Sequence, residues 1–206
     1  MRFLIASDVH GSATWCRALM AEIDREVPDR VLLLGDLLYH GPRNDLPDGY
    51  APREVAAMLN GIAARVIAVR GNCDSEVDQM MLDFPCLETS AQVFDAGVAA
   101  GTPWAAGAAD GVPGPDCAGR LLFLTHGHVF GPGLQNSADN LPKLPAGAGA
   151  ALVYGHTHVK VCAPYPGRTD LWMLNPGSVS IPKDGSHSYA LYENGAFELR
   201  ELHPDA

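Results

Sequence analysis

The 206-residue chain has no stretch approaching the ~18 consecutive apolar residues of a membrane span, which argues against a helical membrane protein. Its N-terminal apolar run, "RFLIAS", stops at Asp8 and is too short for the hydrophobic part of a secretory signal. Cysteine is sparse: five residues, at 16, 73, 86, 117 and 162, with no C-x-x-C spacing. An odd, scattered set argues against a disulfide framework or a thiolate zinc site and suits a reducing, cytoplasmic compartment. Basic residues are also few, 14 Lys and Arg against 24 Asp and Glu, for a net charge of -10. That balance disfavours stable binding to nucleic acid or to an acidic membrane surface. With 47% hydrophobic and 18% charged residues, the composition is that of a folded globular protein rather than a disordered one.

What is present is a chain long enough for a proper core, read as one domain over 1–206 with no internal repeat. The first third alternates in period. "RFLIAS", "RVLLLGD" and "RVIAVRG" read as buried strands. Between the first two, Trp15, Leu19, Ile23 and Val27 recur every fourth residue behind a cap at Ser12. Between the second and third, a helix opens near Pro52 with Val55, Met58, Leu59 and Ile62 on one face. This is a β-α-β-α-β pattern with parallel pairing. In the second half "AQVFDAGV", "RLLFLTHG", "AALVYGH", "LWMLNPGS", "SYALYENG" and "AFELREL" read as strands with little helix between them. Two sheets packed face to face with helices outside are expected. Segments 99–119 and 131–149, rich in Gly, Ala and Pro, read as long loops.

Polar residues that can hold a metal follow these apolar runs one after another: Asp8 and His10, Asp36, Asn72, His126 and His128, His156 and His158. The carboxyl ends of strands in α/β sheets form ligand-binding crevices. One Asp after a strand is usually a turn former, and a lone histidine such as His40, His187 or His203 is usually an ordinary surface or half-buried residue. The ordered combination is far more specific than any member. Carboxylates, imidazoles and an amide, without a thiolate cluster, suit Mn, Fe, Zn or Mg. Even seven of these eight residues as ligands would exceed what one ion takes, so two ions sharing a carboxylate are expected, ~3.5–4 Å apart and able to clamp both oxygens of an in-line displacement at phosphorus.

The ordered set "DVH", "GD", "GN", "THGH" and "GHTH", spanning residues 8 to 158, resembles the calcineurin-like metallophosphoesterases. The longer strings "HGPRNDLPDGYAP", "VRGNCDSEVDQMM", "LTHGHVFGP", "VYGHTH" and "NPGSVSIPK" are similar to those of its YfcE-like bacterial phosphodiesterases. The resemblance implies a four-layer α/β/β/α sandwich of two mixed sheets flanked by helices. It also implies a binuclear centre, often loaded with Mn2+, with Zn2+, Fe2+ and Mg2+ as alternatives. By position, Asp8, His10 and His158 would hold one ion, Asn72, His126 and His156 the other, and Asp36 would bridge them. His128 is either a supporting or substrate-facing residue or simply structural.

The same resemblance gives roles around the centre. Many relatives carry His after the GN, as general acid or phosphate contact; here it is Cys73, read as a poor substitute for that proton donor, with mere packing as the alternative. Asp36, Asn72 and Cys73 are thus the expected catalytic residues, with Arg43, Asn44, Asn72 and His128 toward the substrate. Asp74 either supports the site or starts the helix "SEVDQMML", where Ser75 is the rival cap. "AAGTPWAAGAADGVPGPDCAG" looks like an insertion whose Trp104 either covers the site or packs on the sheet. The expected activity is hydrolysis of small phosphodiesters by attack of a bridging hydroxide. A phosphomonoesterase on the same site, or a metal-binding interaction scaffold, is the alternative. A homo-oligomer is allowed.

Overall fold

The computed structural model describes residues 1–106, 114–131 and 149–204, the side chains of residues 169 and 170 excepted. Strands β1 (Arg2–Ala6), β2 (Arg30–Leu33) and β3 (Val66–Ala68) pair in parallel, with Ile5 opposite Leu32 and Leu33 opposite Ala68. The sheet is completed by two antiparallel strands, β9 (Ser188–Glu193) and β10 (Ala196–Glu201), in the order 10-9-1-2-3, making it mixed. The second sheet is built from β4 (Ser90–Asp95), β5 (Arg120–Thr125), β6 (Ala150–Val153), β7 (Lys160–Tyr165) and β8 (Arg168–Pro176), in the order 4-5-6-8-7. Strands β9 and β10 then return to the first sheet. Strand β7 has no counterpart in the sequence reading, because "KVCAPY" carries a Pro and is only half-buried. As the terminal strand in its sheet's order, it tolerates both.

Alternation along the strands sorts side chains into layers. Phe3, Ile5, Leu32 and Leu34 face Leu122, Leu124, Val153 and Leu174 between the sheets. Leu4, Val31 and Leu33 point the other way, under helices α1 (Ala13–Glu26) and α2 (Pro52–Asn60). A fully buried Leu or Ile in such a layer contributes roughly 1.5–3 kcal/mol. The outer face of the second sheet carries Phe123, Leu152 and Met173. No helix covers it among the described residues, and segment 132–148 of the expected loop lies outside them.

Ser12 caps α1 as expected, accepting the Trp15 N–H at 3.3 Å. The fourth-residue spacing misleads at its far end. Val27 is the C-cap, in left-handed backbone at φ 46°, and is 70% exposed rather than on the buried face. In the third helix, α3 (Glu76–Met81), Ser75 is the cap, and its N–H and hydroxyl both donate to Asp78. Trp104 packs into the inter-sheet core. It stacks on Trp172 and Phe197 at 6.1 and 6.0 Å, with the buried Arg120 guanidinium 4.5 Å over its ring. Segment 99–119 is therefore anchored in the fold at Trp104, while its residues 107–113 lie outside those described.

Candidate metal centre

The carboxyl ends of β1, β2 and β3 meet those of β5 and β6 along one edge of the sandwich. Asp8 and His10 follow β1, Asp36 follows β2 and Asn72 follows β3. His126 and His128 follow β5, and His156 and His158 follow β6. Hydrogen bonds between the sheets fix this meeting: His126 Nδ1 donates to Leu34 O at 2.7 Å, and the His156 N–H donates to Asp8 Oδ2 at 3.0 Å.

Asp8, His10, Asp36, His156 and His158 all lie in left-handed backbone, with φ between 47° and 66°. Among the described residues only Val27 and Asn194 share that conformation without being glycine. It costs an L-residue about 1–2 kcal/mol. Its concentration in one place means that the tight turns aim these side chains, at a cost in stability borne by the core. Gly71 makes the close approach possible: a Cβ there would strike both the Asp36 carboxylate and its backbone nitrogen.

The ring nitrogens show which atoms are free to ligate. His10, His126 and His158 each present Nδ1 to a backbone carbonyl, of Tyr39, Leu34 and Ile181, at 2.8, 2.7 and 2.6 Å. A carbonyl can only accept, so Nδ1 carries a proton and Nε2 is the atom that offers its lone pair once the ring is neutral, the usual arrangement of a metal-binding histidine. These lone pairs converge. His10 Nε2 is 3.4 Å from His158 Nε2, and Asp8 Oδ1 is 3.2 Å from His158 Nε2 and 3.6 Å from His10 Nε2. His126 Nε2 is 3.1 Å from Asn72 Oδ1 and 3.2 Å from His156 Nδ1. Asp36 Oδ2 sits between the two groups, 3.7 Å from His10 Nε2 and 3.5 Å from His126 Nε2. The buried Asp8 Oδ1 takes no hydrogen bond. A cluster of acceptors facing one another around an unpaired carboxylate oxygen fits a cation. Asp8, His10 and His158 form one such group, and Asp8, Asp36 and His126 another. Cys73 also reaches His10 and Asp36 to form a third.

The electrostatics follow from this crowding. Burial pushes the Asp8 carboxyl up, but contacts to His10 and His158 and the charge of His126 bring it well below the ordinary value. Burial would lower His126, yet the Asp36 charge and hydrogen bond lift it to about 9. His156 is pushed down to about 4 by burial and by His126. Burial, then the Asp36 charge, raises the Cys73 thiol to about 12. It stays protonated at neutral pH, which disfavours a nucleophilic role.

His10, Asp36, Asn72, His156 and His158 line a cleft of about 540 Å3, whose wall also includes Arg43, Asn44, Cys73, Thr157 and Lys183, with Asp8 and His126 buried behind it. Asn44 turns its amide toward His40 O at 2.7 Å, and Arg43 is exposed. His128 is not in that wall; its ring packs 5.3 Å from His126 and 6.2 Å from His156.

Four supporting residues escaped the sequence reading or were left undecided by it. Asp74 is buried and accepts the N–H groups of Asp36, Leu37 and Gly71 at 2.8, 2.9 and 2.7 Å, tying the turn after β2 to that after β3. Asn175 donates to Gly155 O at 2.8 Å and to Thr157 Oγ1 at 3.0 Å, holding the "GHTH" turn. Ser178 donates to the Asp8 carbonyl at 2.9 Å. Lys183 lines the cleft, and its N–H donates to the His158 carbonyl at 3.0 Å. A buried Asn ending the apolar run "LWML" was the available signal for the "NPGS" pair.

A two-sheet sandwich whose strand ends converge carboxylates and imidazoles in this way is that of a metal-dependent phosphoesterase. Residues 1–195 match the calcineurin-like phosphoesterase superfamily domain, and the chain belongs to that family. It is 41% identical over 203 residues to phosphodiesterase YfcE of Escherichia coli K12, covering 98% of this chain and 92% of that protein. The solved structure of the E. coli YfcE phosphoesterase superimposes with a TM-score of 0.75 at 39% identity, covering 100% of this chain and 96% of the other. An archaeal phosphodiesterase, at 18% identity with a TM-score of 0.62 and covering 98% and 100% of the two chains, shares the fold. No helix among the described residues is long and apolar enough to cross a membrane.

Proposed function

We propose that the chain, as one domain over 1–206, is a binuclear-metal phosphodiesterase of the cytoplasm acting on small phosphodiesters. The observation that carries this reading is the convergence of lone pairs about Asp36 Oδ2, with each partner nitrogen on His10 and His126 already committed to a backbone carbonyl. Asp8, His10 and His158 would hold one divalent ion, Asn72, His126 and His156 the second, and Asp36 both. Mn2+ suits this oxygen and nitrogen set, as do Zn2+, Fe2+ and Mg2+. Bound there, the ions supply Lewis acidity, acidifying water and neutralising charge on the phosphoryl oxygens.

The chain's own residues do the rest. Arg43 and Lys183 flank the cleft as cations and would orient the phosphoryl group. The Asp36 Oδ1 atom accepts the Cys73 N–H at 2.8 Å, which fixes the carboxylate plane and sets the thiol beside the site. Cys73, protonated, offers the leaving oxygen only a weak acid. His128 backs the His126 and His156 rings. The name of the YfcE relative supports the diester preference. The test is turnover by Mn2+-reconstituted protein on a panel of mono- and diesters. Faster turnover of diesters is expected; activity confined to monoesters would reassign the enzyme, and none with metal bound would leave a scaffold.

A further inference from the structure

Beside the metal-ligand cleft lies a second concavity of about 970 Å3. The two share Pro42, Arg43, Asn72 and Cys73 as a common wall, so a molecule with its phosphoryl group in the first extends directly into the second.

This groove presents two kinds of surface. One is apolar, with Tyr39, Val77 and Met81 exposed by 40%, 65% and 43%, more than large apolar residues usually are. The other is cationic: Arg43, Arg53 and Arg70 all line it, in a chain with only 14 Lys and Arg against 24 Asp and Glu. The acids of the groove do not neutralise them. The Asp74 carboxylate is consumed by three backbone N–H groups, and that of Asp78 by Ser75. Arg70 is held by Asp74 O at 3.2 Å and lies 3.9 Å from Glu76. Arg43 and Arg53 are exposed and form no ion pair among the described residues.

We propose that this groove receives the leaving group of the diester, and that this group is an apolar or aromatic alcohol bearing a second anionic group. The apolar body lies against Tyr39 and Met81, and the distant charge is met by Arg53. The inference rests on the phosphodiesterase reading of the adjoining cleft. The reaction remains hydrolysis: the oxygen of water bonds to phosphorus, the bond to the leaving alcohol breaks, and the proton released by water balances the one the alkoxide takes up. What the groove adds is selection between leaving groups, by pairing a guanidinium with an anion that a neutral alcohol lacks.

The test compares methyl phenyl phosphate with its analogue carrying a para-phosphonomethyl group on the phenyl ring, using Mn2+-loaded wild type and Arg53→Glu. Arg53 is exposed in the first turn of α2 (Pro52–Asn60), where a carboxylate is favoured by the helix dipole, so the substitution should cost the fold little, which a wild-type Tm for the variant checks. Wild type should prefer the charged diester in kcat/KM, and Arg53→Glu should lower that preference by about ten-fold or more, the low end for a charged hydrogen bond at an exposed guanidinium. Calorimetric titration with the product, 4-(phosphonomethyl)phenol, should show the same loss of affinity. An unchanged ratio and unchanged product binding in Arg53→Glu would overturn the groove assignment while leaving the phosphodiesterase reading intact. Arg53-dependent product binding without turnover of either diester would instead sink the phosphodiesterase reading and leave the groove as an anion-bearing aryl site. Sedimentation showing that a Val77→Glu change breaks a dimer, with the substrate ratio unmoved, would assign the face to a second copy and also overturn the proposal.

Discussion

Asp74→Asn is the substitution with the most to teach, because it changes one atom at the junction of two turns. The carboxylate spends Oδ2 on the Asp36 and Gly71 N–H groups, at 2.8 and 2.7 Å, and Oδ1 on that of Leu37 at 2.9 Å. A carboxamide has one accepting oxygen. Placed with that oxygen where Oδ2 was, it keeps two bonds and turns its NH2 toward the Leu37 N–H, donor against donor. The buried N–H left without a partner costs about 1–3 kcal/mol, and for a chain of this length each kcal/mol moves Tm by about 2–4 °C. Because Leu37 directly follows Asp36 in the same turn, the loss should also loosen the carboxylate at the centre of the metal-ligand cluster. Urea unfolding of chelator-treated protein should show the stability loss, and competition with a fluorescent chelator should show Mn2+ affinity falling by about 10–100-fold, the usual cost of removing a ligand's support. Wild-type stability and wild-type affinity in Asp74→Asn would refute the claim that this carboxylate holds the site together.

Asp36→Ala should abolish activity and lower bound metal at both positions, since its Oδ2 stands between His10 and His126; mass-spectrometric metal counting checks this, and full activity would sink the binuclear account. In metal-free protein His126 is raised to about 9, so its stabilising contribution is complete below ~6.5 and fades as pH climbs through 9. Asp8 is depressed below 3.8, so its contribution is present above that value and is lost as pH falls. The Tm of chelated protein should therefore decline between about pH 6.5 and about pH 9, and a continuous rise across that window would contradict the coupling. Mn2+ affinity should strengthen over the same window, because binding displaces the His126 proton; calorimetry in buffers of different ionisation enthalpy measures that proton. Cys73→Ala should keep much of the rate on activated aryl diesters, whose leaving groups need no proton. Cys73→His should gain on poor leaving groups by up to the ~10²–10⁴-fold a placed general acid supplies. Inactivity of Cys73→Ala with metal bound would make the thiol essential.

The sheet architecture was legible because β1, β2, β5 and β6 are short apolar runs, buried almost throughout, each closely followed by an Asp or His. The candidate donors were legible as a set rather than singly: one Asp after a strand is usually a turn former, but Asp and His at successive strand ends, in an order that resembles a known family, have few structural uses together. Periodicity failed where the chain leaves a regular element. Val27 continues the spacing of α1 but caps it in left-handed backbone, and β7 hid behind a proline tolerated at the end of its sheet. Trp104 was ambiguous because a Gly- and Ala-rich segment carries no period to say where its one large side chain goes. The roles of Asp74 and Asn175 depend on bonds to backbone groups far off in the chain, and no local pattern encodes those.

The central claim is that Asp36 is shared between two metal ions, and anomalous diffraction from Mn2+-soaked crystals tests it most directly. Two peaks are expected, ~3.5–4 Å apart, one among Asp8, His10 and His158, the other among Asn72, His126 and His156, with Asp36 Oδ2 touching both. A single fully occupied peak at saturating Mn2+, or two peaks with Asp36 bound to only one, would contradict it.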